Sequence, residues 1–346
     1  MAGSWPETVV FWTGHYDPRS EAISKEIHAL RGVLPRSRTI SLTEKGRPAG
    51  LAAPGTLWPG PRLYRAAARP LAWWLDRDRP VHHIFYGWPP TPFLARLRGR
   101  RTVMTCVSGL PEGWEPGAAR GGLRRLVVES PQDRERALAA GWPEETLHCI
   151  LPGVDLNEFR PAPPPPPDVP FTLLFAGVPF LPGYAEARGL DILLEAARRV
   201  PDVRFRLLCR GFVPEAVEEA RREGLANLDV DTTIHADMNS VYTDCHAAVV
   251  PFRRSTMNKS CPNSLLESLA SGRPVLASEA AGIAPLLAEE GAAETFPPTP
   301  EGMVAGMDAL RTSYEKRHRA ARPCAERLFA LPRFIEEYRK LYAGLE

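Results

Sequence analysis

The chain has almost no net charge. Its 346 residues carry 43 Lys and Arg against 41 Asp and Glu, a balance of +2. That balance makes no overall case for a nucleic-acid partner. No apolar run approaches the roughly 18 residues of a membrane-spanning helix. The N-terminus lacks a basic leader region, and its short apolar run Val9-Val10-Phe11-Trp12 reads as a first strand. Cysteine is sparse: Cys106, Cys149, Cys209, Cys245, Cys261 and Cys324 are scattered, with no C-x-x-C pair. This spacing excludes a disulfide framework and the common zinc motifs. Most of the six sit in apolar runs, so reduced structural thiols in a cytosolic protein are expected.

Proline, by contrast, is abundant, with 37 residues. Ten positions, 161–170, read Pro-Ala-Pro-Pro-Pro-Pro-Pro-Asp-Val-Pro. Such a run forms neither helix nor sheet interior and reads as a semi-rigid linker. Before it, apolar strands are expected over 9–12, 81–85, 102–107 and 126–129, with a helix over 21–30. After it come strands over 171–175, 204–209, 247–251 and 274–277, and helices over 190–199, 214–223 and 264–271. The tail, 313–345, is helical in pattern. Strand–helix alternation on both sides of the linker argues for two α/β domains with parallel sheets covered on both faces. A chain of this length supports two such cores. Ligands bind at the carboxyl ends of the strands in sheets of this kind.

The most informative stretch is Cys261-Pro262-Asn263-Ser264-Leu265-Leu266-Glu267-Ser268-Leu269-Ala270-Ser271-Gly272-Arg273-Pro274-Val275. Pro262 suits the first position of a helix and Gly272 the residue past its end. Glu267 is the one acidic side chain on this otherwise apolar two-turn helix. The turn into the helix offers backbone N–H groups and a positive dipole end to an anion. A carboxylate one turn further in can accept two hydrogen bonds from a sugar diol. Phosphate at the tip and ribose on the carboxylate make a nucleotide site built without a metal.

This segment resembles the nucleotide-sugar signature of retaining glycosyltransferases of the GT-B fold, in family 4 (glycosyl transferases group 1). The resemblance extends to Ile150-Leu151-Pro152-Gly153-Val154-Asp155, similar to the end of that family's first domain. Leu174-Phe175-Ala176-Gly177 and Arg188-Gly189-Leu190-Asp191 are similar to the opening of its second. It implies an α/β GT-B architecture, two Rossmann-like domains with parallel sheets facing a central cleft. The expected division is an acceptor domain over 1–160, the linker 161–170, a nucleotide-sugar domain over 171–325, and a helix over 326–346 packing back on the first domain.

The family's signature has two glutamates eight residues apart. Glu267 falls on the second, which binds ribose hydroxyls in that family. The first falls on Lys259, and an ammonium only donates hydrogen bonds. Lys259 suits instead the diphosphate or a carboxylate on the sugar. The amides of Asn263 and Ser264 would hold phosphate. The family's diphosphate clamp uses an arginine and a lysine. The first position is Val178 here, the second is Arg188, and Arg210 at the end of the strand over 204–209 is a replacement for the missing charge. In the first domain the family's Gly-Gly loop is absent, and Gly14-His15-Tyr16-Asp17 stands in its place. His15, Asp17 and His83 are the candidate catalytic polar groups there.

The activity implied is retaining, metal-independent transfer from a nucleotide-diphospho-sugar, a substrate and not a cofactor, to an acceptor hydroxyl on a glycan, lipid or natural product. Cations and helix-tip amides stabilise the leaving diphosphate, which itself takes the acceptor's proton. A pair of glycosidase-type carboxylates is then unnecessary. Asp229-Val230-Asp231 has the D-x-D form that binds metal in another glycosyltransferase fold, but it falls outside that context. Residues 31–136 hold nineteen Lys and Arg against eight Asp and Glu. Arginines at 62, 65 and 69 precede Trp73 and Trp74, a pattern suited to peripheral contact with an anionic membrane face, but Pro70 breaks it, and an ordinary helix burying both tryptophans with the arginines in solvent is the favoured reading. Two other readings remain open: a catalytically weakened GT-B subunit supporting a partner enzyme, and a nucleotide-sugar epimerase of similar fold.

Overall fold

The computed structural model describes residues 6, 8–19, 21–34, 36–41, 56–57, 70, 73, 79–90, 97, 101–178, 182–209 and 212–345. The chain forms two compact units, one of residues 1–153 with 331–346, the other of residues 154–330.

In the first unit the elements run β1 (Val9–Thr13), α1 (Ala22–Val33), β2 (Arg38–Ser41), β3 (Thr56–Leu57), β4 (Val81–Tyr86), β5 (Thr102–Cys106), β6 (Arg125–Val128), α2 (Pro131–Ala139) and β7 (Leu147–Cys149). The sheet is parallel, in the order β3-β2-β1-β4-β5-β6-β7. Side chains alternate between its faces. Val10, Trp12, Ile84 and Met104 enter one core cluster. Val9, Phe11, Phe85 and Val103 enter another, with Ile27 and Leu30 of α1. The C-terminal helix, Leu331–Ala343, closes that second cluster with Phe334, Tyr338, Leu341 and Tyr342.

The second unit runs β8 (Thr172–Phe175), α3 (Leu190–Arg199), β9 (Arg204–Leu208), α4 (Glu215–Arg222), β10 (Leu228–Asp231), α5 (Met238–Thr243), β11 (Ala247–Val250), α6 (Asn263–Ala270), β12 (Val275–Ser278), α7 (Ala284–Glu289), β13 (Ala293–Phe296), α8 (Pro300–Thr312) and α9 (Tyr314–Leu328). Its parallel sheet is ordered β10-β9-β8-β11-β12-β13. In both sheets the order reverses next to the first strand, the doubly wound arrangement. In the second sheet the switch lies between β8 and β11, where Ala247 pairs with Leu173.

Two boundaries differ from the sequence expectation. The second unit begins at Val154, ahead of the proline run. The buried guanidinium of Arg273 explains why the run belongs to it. Nη1 donates to the carbonyl of Ala162 at 2.9 Å, and Nη2 donates to those of Pro163 and Thr243 at 2.6 and 2.7 Å. At the other end, α9 stays with the second unit to Leu328, and the segment in the first unit starts at Leu331.

All six cysteines are free thiols. Burial pushes Cys106, Cys149, Cys245 and Cys324 up to about 12, which suits structural thiols. Among the described residues, no helix is long and apolar enough to cross a membrane. Of the basic segment, residues 62–69 and Trp74 lie outside the described residues, while Trp73 is exposed.

Candidate functional site

The switch point of the second sheet brings two helix N-termini to the carboxyl ends of neighbouring strands. β8 leads through Gly177 to α3, and β11 leads through the loop 251–262 to α6. Neither tip is closed by a side chain. The N-cap of α3 is Gly189, at φ 67°, and that of α6 is Pro262; neither makes a side-chain cap bond. With no cap bond, the amides of Asn263 and Ser264 at the tip of α6 are left for an anion, whereas the Leu190 amide at the tip of α3 donates to the Ala185 carbonyl at 3.1 Å. Gly189 is required for a second reason, since a Cβ there would lie 1.7 Å from the carbonyl oxygen of Pro251. The start of α3 is thus pressed against the end of β11.

Polar contacts fasten the same two segments together. The Arg253 amide donates to the carbonyl of Ala187 at 3.0 Å. Asn258 Nδ2 donates to that same carbonyl and to that of Arg254, each at 2.8 Å. Arg254 pairs with Glu186 at 2.8 Å, and Arg253 pairs with Asp191. Arg188, half-buried between these contacts, donates from Nη1 to the Gly177 carbonyl at 2.7 Å. Lys259, also half-buried, donates to the Cys261 carbonyl at 3.1 Å. The two cations therefore sit on segments that are bonded to each other.

One turn into α6, Glu267 is 6% exposed, and its Oε2 accepts from the Tyr242 hydroxyl at 2.8 Å. Tyr242 is buried on α5. Asn263 and Ser264, both half-buried, form the tip of the helix four and three residues before Glu267. Residues i and i+4 share a helix face, so Asn263 and Glu267 lie on one side of α6. The unit thus gathers Arg188, Lys259, Asn263, Ser264 and Glu267 at one switch point. Arg210 lies outside the described residues. Val178 is buried in the apolar core.

Sequence reasoning did not single out Tyr242, Arg253, Arg254 or Asn258. Arg253 and Arg254 follow the end of a strand, which is a usable signal in an α/β sheet. Tyr242 and Asn258 carried no such mark. Asp231 of the D-x-D run is committed elsewhere, bonded to Arg206 at 2.8 Å and to His235 at 2.7 Å. Burial opposes its ionisation, yet the bonds from Arg206, the Thr233 amide and His235 hold its carboxyl below the usual carboxylate range. Among the described residues, no cluster of three or more His, Cys, Asp or Glu has metal-site geometry.

His15 and Asp17 lie in the first unit, on the turn after β1. The Asp17 carboxylate accepts from the Arg19 amide at 3.2 Å, and the Asp17 amide donates to Ser24 Oγ at 2.9 Å. Ser24 Oγ also donates to the His15 carbonyl at 3.3 Å. His83 is corrected to a core residue. It is fully buried in β4, with Nδ1 at 2.6 Å from the Tyr342 hydroxyl and Nε2 at 2.8 Å from Thr105 Oγ1. Burial pushes its pKa down to about 3. Both ring nitrogens are taken, and no solvent reaches them. Its neighbour His82 is likewise buried and accepts from Trp12 Nε1 at 3.1 Å.

Several solved structures share this fold. A glycosyltransferase from Rickettsia africae superposes with a TM-score of 0.75 at 13% identity, over 99% of each chain. Sucrose-phosphate synthase from Thermosynechococcus elongatus gives 0.73 at 17%, over 98% of this chain and 99% of that one. Anabaena HepE in complex with UDP-glucose gives 0.73 at 16%, over 97% and 99%. At such identities the likeness is one of fold. In sequence the chain is similar to D-inositol 3-phosphate glycosyltransferase 1 of Catenulispora acidiphila, 29% identical over 183 residues. Those residues are 46% of this chain and 42% of that protein, so the chain spans less than half the length of that curated relative. Residues 171–313, within the second unit, match the family described as Glycosyl transferases group 1, and the chain shares the GT-B fold of these glycosyltransferase structures.

Proposed function

We propose that this protein is a retaining, metal-independent glycosyltransferase that moves a sugar from a nucleotide-diphospho-sugar to an acceptor hydroxyl. The observation that carries the reading is the uncapped tip of α6 at the switch point, with the buried carboxylate of Glu267 four residues inside it. In this reading Glu267 accepts from both ribose hydroxyls, its orientation set by Tyr242. The amides of Asn263 and Ser264 hold the diphosphate, and Arg188 and Lys259 neutralise the charge that builds on it as the sugar–phosphate bond breaks. The departing phosphate oxygen takes the acceptor's proton. Retention follows because acceptor and leaving group share one face of the sugar. His15 and Asp17 serve the acceptor or the transferred sugar. The enzyme works in the cytoplasm, with the basic stretch of its first unit in peripheral contact with a membrane face.

The chemistry asks for no metal, and Asp231, the D-x-D carboxylate nearest to such a role, is held by Arg206 and His235. UDP-glucose is the first donor to try, because Anabaena HepE carries the same fold and was solved with it. A second reading is favoured by one observation: Val178, where the family places a clamp arginine, is neutral and buried. A weakened subunit that supports a partner enzyme would look like this.

Calorimetric titration with UDP, GDP, ADP, CDP and dTDP, in the presence of EDTA, tests the reading. Tight binding of one nucleotide is expected. No binding to any of the five overturns the donor site and leaves the supporting-subunit reading.

A further inference from the structure

We propose that Asn258 is a positioning residue, whose side-chain amide locks the Arg188 segment after β8 to the Lys259 segment after β11. The proposal rests on the donor-site reading above and adds to it how the two cations are held. Asn258 is 2% exposed, far too closed for direct contact with a ligand. It stands immediately before Lys259, and its Nδ2 donates to the carbonyl of Ala187, immediately before Arg188. The second proton of the same Nδ2 goes to the Arg254 carbonyl. One neutral group thus ties together the main chain beside each cation, across 71 residues of sequence.

The chemistry of the position selects asparagine. Two carbonyl oxygens at 2.8 Å, with that of Thr256 further off at 3.5 Å, converge on one atom, so that atom must carry two protons, as an amide nitrogen does. An aspartate would set oxygen against oxygen. Asn258 Oδ1 is buried with no hydrogen-bond donor among the described residues, so the amide is held in this orientation by its nitrogen alone. Met257, just before it, holds φ 65° although it is not glycine. Backbone in this region persists in a non-glycine residue where the surroundings over-determine it, which is what a fastened loop provides. The Ala187 carbonyl also accepts from the Arg253 amide, so both of its lone pairs are engaged. Arg188 is then aimed from fixed backbone at one end and held by the Gly177 carbonyl at the other. A preorganised cation stabilises a leaving diphosphate without reorganisation.

The test is a double-mutant cycle in calorimetry, with UDP as the probe, or whichever of GDP, ADP, CDP and dTDP the wild-type protein binds. Asn258→Ala is expected to weaken binding about tenfold in the wild-type background and no more than about twofold in an Arg188→Gln background. Equal weakening in both backgrounds overturns the proposal, because a general loss of structure would act on each alike. If Asn258→Ala does not fold, Asn258→Ser, which keeps one neutral donor, goes through the same cycle. A wild-type protein that binds none of the five nucleotides overturns the donor site itself, a failure visible before any variant is made.

Discussion

The Tyr242 hydroxyl donates to Glu267 Oε2 over 2.8 Å, joining α5 to α6 beneath the helix tip. Both side chains are buried, so the carboxylate is aimed before any ligand arrives. Glu267→Ala is expected to weaken nucleoside-diphosphate binding by about 1–3 kcal/mol, the range for leaving hydrogen-bond partners unsatisfied. Tyr242→Phe keeps the carboxylate but frees its orientation, and its loss should be smaller, about 1 kcal/mol. The check is calorimetry with the ribonucleotide and its 2′,3′-dideoxy analogue. Both variants should bind the dideoxy analogue as the wild type does. A folded Glu267→Ala protein that loses nothing against the ribonucleotide would sink the ribose assignment.

Gly189 supports the second prediction. An alanine there meets two obstacles: a left-handed φ of 67°, and the Pro251 carbonyl 1.7 Å from its Cβ. The obstacle is backbone on both sides, so neither can rotate away. Gly189→Ala should destabilise the second unit by more than about 3 kcal/mol, through strain and displacement of α3 from β11. Chemical denaturation followed by far-UV circular dichroism reads this directly. An unshifted transition would mean that the two segments are not in contact in solution.

Much of this architecture is legible in the sequence because its strands are short apolar runs buried on both faces, as Val9–Thr13 and Ala247–Val250 are. The ends of α6 are legible too. Pro262 stands at its start, and Gly272, at φ 76°, lies just past its last residues. What escapes is contact between distant segments. Nothing near Tyr242 marks it as a partner for a residue 25 positions away, and nothing near Asn258 points to Ala187. His83 shows the converse error. A histidine in an apolar strand looks the same whether it faces solvent or core. Its hydrogen-bond partner Tyr342 and its ring neighbour Tyr338 lie more than two hundred positions further along the chain, on a helix that packs on this sheet. The proline run misled for a similar reason, because its anchor is an arginine over a hundred residues downstream.

Arg273 gives the third prediction. It is 1% exposed, and burial pushes its pKa down, with three carbonyl oxygens around Nη1 and Nη2. Arg273→Met removes the buried charge and strands those carbonyls. Relief of the charge offsets part of the loss, but unsatisfied buried acceptors dominate when only one partner is removed. A net destabilisation of about 2–4 kcal/mol is expected. Faster hydrogen exchange at the amides near Ala162 should accompany it. A variant with wild-type stability and exchange would show that the arginine does not anchor the run.

The acid response of the first unit follows from His83. Its folded pKa of about 3 lies below the roughly 6.5 of an exposed histidine. Below pH 6.5 the unfolded chain therefore binds a proton that the folded chain refuses, and stability falls as pH drops. The slope approaches about 1.4 kcal/mol per pH unit between the two values, and the contribution is absent above pH 7. Below about pH 3 the folded state also takes the proton, and this fall ends. His83→Gln, which cannot charge, should lower stability at neutral pH by breaking the bonds to Tyr342 and Thr105, while flattening the slope between pH 6 and 4. Urea unfolding at stepped pH, followed by tryptophan fluorescence, separates the two effects. The same slope in wild type and variant would place the acid sensitivity on other groups.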